Sequence, residues 1–330
     1  MIRARYALLL VVVAMLFSSR LWAWGCSGHE VVALIALQNL QKLDAANHTQ
    51  TVQQVETLLA TQAHSYPKRF CSDLGLDPIA YFATWADDHR EADPATGNWH
   101  FWDIPLKIPT AKLGEYCDQG CVVEALKTQM GILQNMTKDQ ADRVMALMYV
   151  IHFVGDMHQP LHAEDNNDRG GNCVPVAFLG KSPSPGSSAG SFSPNLHGVW
   201  DTNIPENIGH ISRQSENAKS ELEAFASQLQ TEHAAEISKA LRGSINLVAW
   251  ANESHQIART DPYTRLNPAI TPAPEIAPVT SCTDNNTSSS FLNKHETIDE
   301  SYIKSVQGDV EGQLAKAGAR LAAVLYSTLK

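Results

Sequence analysis

Thirteen histidines are spread through the chain. Taken singly they say little, because an i, i+4 His–Asp pair on a helix is usually a surface contact worth on the order of tenths of a kcal/mol. Two such pairs, however, repeat one spacing: His152-Phe-Val-Gly-Asp156 and His197-Gly-Val-Trp-Asp201. The helical period sets both members of each pair on one face, a turn apart. Val144, Leu147, Met148, Ile151 and Phe153 around the first pair are apolar, so its carboxylate is headed for the interior, where an unpaired charge is costly. A bound cation resolves that conflict. Between the pairs stands a third imidazole, in His158-Gln-Pro-Leu-His162, where Pro160 ends the helix and turns the chain. Imidazole with carboxylate is a common zinc donor set.

Two upstream segments add weaker signals. Trp85-Ala-Asp87-Asp-His-Arg90 sets a carboxylate and a guanidinium three residues apart, sharing a helical face, and Trp99-His100-Phe101-Trp102-Asp103 sets a histidine among aromatics.

The elements that must carry these residues read as helix nearly throughout. Apolar residues recur at close to a helical period over 28–40, 52–63, 122–136 and 139–156. Residues 221–259 and 311–329 are long, alanine-rich and free of proline. Only 173–179 alternates as a strand does, through Val174, Val176 and Phe178. Residues 181–194 and 267–290 are loops by composition. The expectation is an all-α class: one mainly helical domain over 24–330 with a small β-hairpin and long loops.

The N-terminus stands apart from that domain. Arg3 and Arg5 precede an unbroken apolar run over 6–17, followed by Ser18-Ser19-Arg20-Leu21-Trp22-Ala23. That is the order of a secretory signal peptide, and the run is shorter than the roughly twenty residues that span a bilayer. Cleavage after Ala23 would start the mature chain at Trp24, leaving a secreted or periplasmic protein with no membrane contact. Six cysteines agree with export, and six allow fifteen pairings. Cys117 and Cys121 are close enough to pair locally; the expected partners for the rest are Cys26 with Cys71 and Cys173 with Cys282. A zinc–thiolate site is the rival, but no CxxC pair supports it.

The formal net charge is −10, and three units more negative once Arg3, Arg5 and Arg20 leave. A protein that grips phosphates with lysine and arginine should be basic. Either nucleic acid is the wrong substrate or the positive charge comes from bound metal, often the largest local charge in a site.

Together these residues carry a resemblance. The order Trp24…His29, Trp85-Ala-Asp87…Arg90, His100-Phe101, His152-Phe-Val-Gly-Asp156-Met-His-Gln-Pro-Leu-His162, Gly170-Gly-Asn172 and Asn195-Leu-His197-Gly-Val-Trp-Asp201 resembles the zinc-dependent single-strand nucleases and 3′-nucleotidases of fungi, plants and bacteria. The resemblance implies the helical fold shared by zinc-dependent phospholipases C and zinc nucleases, and three zinc ions. Asp87, His100, His152 and Asp156 would hold the first. The free amine and carbonyl oxygen of Trp24, with His29, would hold a second, Asp156 bridging the two. His162, His197 and Asp201 would hold the third. Asp87, Arg90 and Asn203 would be catalytic, Arg90 and Asn203 touching the phosphate, and Phe101 would stack a base.

The implied activity is hydrolysis of single-stranded DNA and RNA at the 3′ O–P bond to 5′-phosphorylated products, with 3′-nucleotidase activity, by a monomer. Zinc lowers the pKa of water to about 7, and dications would offset the missing basic surface. Affinity through metals and base stacking favours unpaired strands. The 181–194 segment departs from the family pattern and leaves substrate preference open.

The nearest rival is a zinc-dependent phospholipase C, similar in fold and in its N-terminal tryptophan. That family resembles His-x-x-x-Glu with a longer gap after Trp, whereas here the last pair is His197–Asp201 and His29 follows Trp24 closely. A non-catalytic protein with purely structural zinc fits poorly, because such sites normally have four protein ligands and the third set here has three. His48, His64, His210, His233 and His295 read as solvated. Asn47, Asn135, Asn252, Asn285 and Asn286 lie in N-x-S/T sequons.

Overall fold

The structure, a computed structural model, describes residues 24–61, 70–186, 189–268, 270, 272, 273, 277, 279–287 and 296–329. The expected signal peptide (1–23), His64 and His295 lie outside the described residues.

Twelve α-helices follow in order: α1 Cys26–Asn47, α2 Thr51–Ala60, α3 Pro78–Tyr81, α4 Trp85–Ala92, α5 Val122–Gln134, α6 Gln140–Met157, α7 Leu196–Gly198, α8 Ile204–Ile208, α9 Ala218–Glu232, α10 Ala234–Arg242, α11 Leu247–Thr260 and α12 Glu300–Leu329 among the described residues. Short 3₁₀ segments cover Phe82–Thr84, Pro94–His100 and Pro160–His162, and a π-helical turn covers Val199–Asn203.

The core is built around α1, α6 and α12. Both α1 and α6 are apolar on most faces, so they are buried rather than amphipathic. The chief contact is α1 on α12. There Gly318 lets the backbones approach, since a Cβ in its place would fall 2.5 Å from Ile35. α5 packs on α6, α9 on α1, and α10 on α12.

The helical expectations hold with informative differences. The 221–259 stretch is three helices: α9 gives way to α10 at His233, and α10 ends at Gly243 before Asn246 caps α11, its side chain accepting the Ala249 N–H at 3.1 Å. α12 starts at Glu300 rather than 311, where the Asp299 carboxylate accepts the N–H of Ser301 and Tyr302 at 3.0 and 2.9 Å. The strand expected in 173–179 is β1, Val176–Phe178. The 181–194 segment contributes β2, Ser184–Pro185, and β3, Phe192–Ser193, which form the small antiparallel hairpin. β1 pairs in parallel with β4, Glu296–Ile298, from far along the chain.

Three disulfides join Cys26 to Cys71, Cys117 to Cys121 and Cys173 to Cys282, with Cα–Cα spans of 5.7, 5.2 and 5.2 Å. All six thiols are consumed, which removes the zinc–thiolate reading. Among the described residues no helix is long and apolar enough to cross a membrane.

Candidate metal centre

Buried acids and imidazoles gather where α1, α4 and α6 meet the 3₁₀ segments. His29 comes from the first turn of α1, Asp87 from α4, His100 from the end of Pro94–His100, and His152 and Asp156 from α6. All five are almost fully withdrawn from solvent. Asp156 lies at the centre: its carboxylate is 3.3 Å from His29 Nε2, 3.0 Å from His100 Nδ1 and 3.2 Å from His152 Nε2. Asp87 Oδ1 is 3.6 Å from His100 Nδ1 and 3.8 Å from both His152 Nε2 and Arg90 Nη2. The rings of His29 and His152 stack at 4.0 Å. Gly155 makes room for this, since a Cβ there would fall 2.7 Å from His29 Nδ1. The glycine of His-Phe-Val-Gly-Asp is therefore a packing requirement of the site.

The second gathering is His162, His197 and Asp201. Asp201 lies on the π-helical turn, 3.0 Å from His197 Nε2 and 3.7 Å from His162 Nε2. π-turns recur at functional sites because the widened turn re-aims side chains.

In three rings the nitrogen away from the acids is anchored to a main-chain carbonyl. His152 Nδ1 meets Ala83 O at 2.7 Å, His162 Nδ1 meets His100 O at 2.9 Å, and His197 Nδ1 meets Gly170 O at 2.6 Å. Donating Nδ1–H to a carbonyl leaves Nε2 as the nitrogen turned inward, the one a metal would take. His100 is reversed, with Nδ1 facing the acids. Gln159, itself fully buried, donates its amide to Asp201 Oδ1 and accepts the Leu161 N–H at 2.5 Å.

The electrostatics are strained in a way a cation relieves. Burial holds His29 and His100 well below the ordinary imidazole pKa. Burial also opposes charge on His152, but the Asp156 and Asp87 carboxylates outweigh it and push His152 up to about 9. Desolvation raises Asp156, and it pushes Asp201 up to about 6 against the pull of His197. Both ring nitrogens of His29, His100 Nε2, and one oxygen each of Asp87, Asp156 and Asp201 are buried without a hydrogen-bond partner among the described residues. Orphaned buried donor atoms of this kind call for an explanation, and a dication bound by nitrogen and oxygen donors supplies it. One ligand atom from each of His29, Asp87 and His152 lies within 4.8 Å of the others, as do those of His100, His152 and Asp156, and those of His162, His197 and Asp201. His/Asp groups able to hold metal are thus present.

Trp24 is fully buried, and the next residue, Gly25, donates its N–H to Asp201 O at 2.8 Å. Arg90, Phe101, His162 and His197 line a cavity of about 600 Å³. A second cavity of about 490 Å³ runs past Asp201, Thr202 and strand β3. The 181–194 segment does reach the site, through Ser191, Phe192 and Ser193 on that wall. Asn203, the last residue of the π-helical turn, is in neither wall, whereas Asn172 is in both.

Sequence reasoning did not single out Gln159, Asp103, Asp165 or Arg169 for roles. The last three also line the larger cavity. An acid-rich run, Glu164-Asp165-Asn-Asn-Asp168, was the available signal. Tyr263, in the turn that follows α11, clasps it, its hydroxyl 2.6 Å from Glu164 Oε1 and 3.0 Å from Asp168 Oδ2. Of the histidines read as solvated, His48 and His210 are exposed. His233 is half-buried, between Glu236 and Glu311.

The family model described as S1/P1 Nuclease matches residues 24–330. Nuclease S1 of Aspergillus oryzae is 29% identical over 191 residues, 56% of this chain and 55% of that protein. Nuclease P1 of Penicillium citrinum is 29% identical over 204 residues, 59% of this chain and 63% of that protein. These two matches therefore span little more than half of the fungal relatives. Endonuclease 2 of Arabidopsis thaliana is 23% identical over 321 residues, covering 96% of this chain and 95% of that protein.

Proposed function

The chain belongs to the S1/P1 nuclease family, and on that premise we propose that it is a secreted, zinc-dependent phosphodiesterase that cuts single-stranded DNA and RNA. Its products would carry 5′-phosphates, 3′-nucleotides would also be substrates, and the mature chain would begin at Trp24 and act as a monomer. The carrying observation is the set of buried His/Asp donor groups, of which His162 and His197 line the cavity that Arg90 and Phe101 also line.

Three zinc ions suit these donors. Asp87, His100, His152 and Asp156 would hold one, Trp24 and His29 with Asp156 a second, and His162, His197 and Asp201 a third. Zinc there supplies Lewis acidity toward phosphoryl oxygens and brings the pKa of water to about 7. The protein's own groups do the rest. Carbonyls of Ala83, His100 and Gly170 fix three imidazoles in the ligating tautomer. Arg90, beside Asp87, neutralises charge building on the phosphoryl oxygens. Phe101 offers a face on which a base stacks, and stacking requires an unpaired base. Of the two asparagines, Asn172 has the cavity position that suits a phosphate contact. An extracellular setting is supported by the three disulfides, since such bonds persist in oxidising compartments.

The test is zinc content of protein beginning at Trp24 alongside hydrolysis of single-stranded DNA, RNA, a 3′-mononucleotide and phosphatidylcholine. Chelator-sensitive cleavage of the first three supports the proposal. Cleavage of phosphatidylcholine alone, or active protein with one zinc or none, overturns it.

A further inference from the structure

Residues 165–172, Asp-Asn-Asn-Asp-Arg-Gly-Gly-Asn, lead from His162 toward Cys173 and turn tightly. Asn167, Arg169, Gly170 and Gly171 all take left-handed backbone angles, with φ of 57°, 60°, 58° and 81°. Glycine does so freely, whereas arginine does so at an energetic cost. The turn is held by its own acids. Asp165 Oδ1 accepts the N–H of Asp168 at 3.2 Å and of Arg169 at 3.1 Å, and Asp168 Oδ1 accepts that of Gly171 at 2.8 Å. Arg169 O accepts the Asn172 side-chain amide at 2.8 Å. Strain of this kind persists only where the surroundings over-determine it, and it clusters at ligand-binding sites.

What the strain places is a guanidinium between two cavities. Arg169, Asn172 and His197 are the residues common to the walls of the 600 Å³ and 490 Å³ spaces. The neighbouring Gly170 carbonyl orients His197, so Arg169 rides on the same turn that positions a candidate ligand. Arg90 stands in the larger cavity and is already engaged with Asp87 at the metal donors. The two arginines are close enough to feel each other's charge; burial lowers the pKa of Arg169, and Asp165 and Asp103 offset that in part.

A mononucleotide brings one phosphate group, which Arg90 and the metal donors serve. A strand brings a phosphate at every nucleotide, and one that continues from one cavity into the other must cross their common wall. The guanidinium at that crossing is a fixed positive point for a second phosphate. We propose that Arg169 holds the phosphate adjacent to the scissile one, and so sets the preference for a polymeric strand over a 3′-mononucleotide. This rests on the nuclease reading of the site.

The experiment compares wild type, Arg169→Asn and Arg169→Lys on a single-stranded oligodeoxynucleotide and on a 3′-mononucleotide, with zinc content measured in each. Asparagine tolerates the left-handed backbone, so its variant removes the charge without adding strain. The expected result is a fall of about tenfold in the ratio of oligonucleotide to mononucleotide kcat/KM, as for loss of one phosphate contact. The loss falls on KM rather than kcat. The salt dependence of oligonucleotide KM also flattens by about 0.7 in log–log slope. Lysine recovers much of the loss. An Asn variant that loses both activities by the same factor, keeps its oligonucleotide KM, or sheds zinc overturns the inference alone. A wild-type chain that cleaves neither substrate overturns the functional reading and this inference with it.

Discussion

Replacing Gln159 by leucine tests how the third metal group is held together. Gln159 is 0% exposed, its amide donates to Asp201 Oδ1, and its carbonyl accepts the Leu161 N–H at 2.5 Å. Leucine has nearly the same volume, so packing changes little while both hydrogen bonds go. Each buried group left without a partner costs about 1–3 kcal/mol, which puts the loss at roughly 2–6 kcal/mol in metal-free protein. With its anchor gone, Asp201 can rotate its carboxylate away from His197, and removing a residue that holds a metal ligand typically weakens binding by roughly 10–100-fold. Chelator titration with a zinc-sensitive dye reads the metal loss, and thermal melting of metal-free protein reads the stability loss. Weakening confined to one class of ion is expected, because the Gln159 side chain bonds Asp201 and Leu161, whereas its bond to Asp156 O runs from the main-chain N–H at 3.0 Å and survives in leucine. A cycle with Asp201→Asn isolates the cause: the double variant should bind that ion no worse than Asp201→Asn alone. Unchanged zinc release in Gln159→Leu, or losses that simply add, would show that Gln159 does not act through Asp201.

The other predictions concern the remaining groups. Asp156→Asn should abolish turnover, since both oxygens of Asp156 face histidines of the cluster; near-normal turnover with full zinc would remove its bridging role. Arg90→Ala should keep zinc and lower kcat about a hundredfold. Protein with one extra residue before Trp24 should lose metal and activity relative to protein beginning there. The α-amine, with a pKa of about 7.7–8, becomes an amide with no lone pair to donate; equal zinc content and equal rates would refute this. Burial disfavours charge on Glu253, but Lys316 and Arg320 outweigh it and hold its pKa down to about 2. Its contribution to stability is therefore complete above the ordinary glutamate pKa and is lost as pH falls from there toward 2. Glu253→Gln should flatten that part of the acid limb in melts between pH 2 and 6, and an unchanged slope would count against the ion pair.

Several features of this protein were set by local spacing and so were legible in the chain. A helix repeats every 3.6 residues, which puts His152 with Asp156 on one face whatever surrounds them. An apolar stretch such as 139–156 must be buried, so its acid must find a partner. The pairing of Cys117 with Cys121 needs only a short turn. The order of these motifs was enough to indicate the family.

Tertiary structure decided what depends on residues distant in sequence. No pattern near His197 indicates that Gly170 O will fix its tautomer, or that Gln159 will hold Asp201, because those partners arrive through packing. Three long-range features are of the same kind: β4 beside β1, the cavities meeting at Arg169, and Asn172 rather than Asn203 in their walls. The two breaks in 221–259 have a different reason, since the turn at His233 and the Gly243–Asn246 junction with its asparagine cap outweigh a favourable composition. Residue types and spacing fix which atoms can bind metal, because that is a property of the side chain and its local helix. Which nitrogen faces inward, and where a second phosphate can rest, follows from contacts that exist only once the helices have packed.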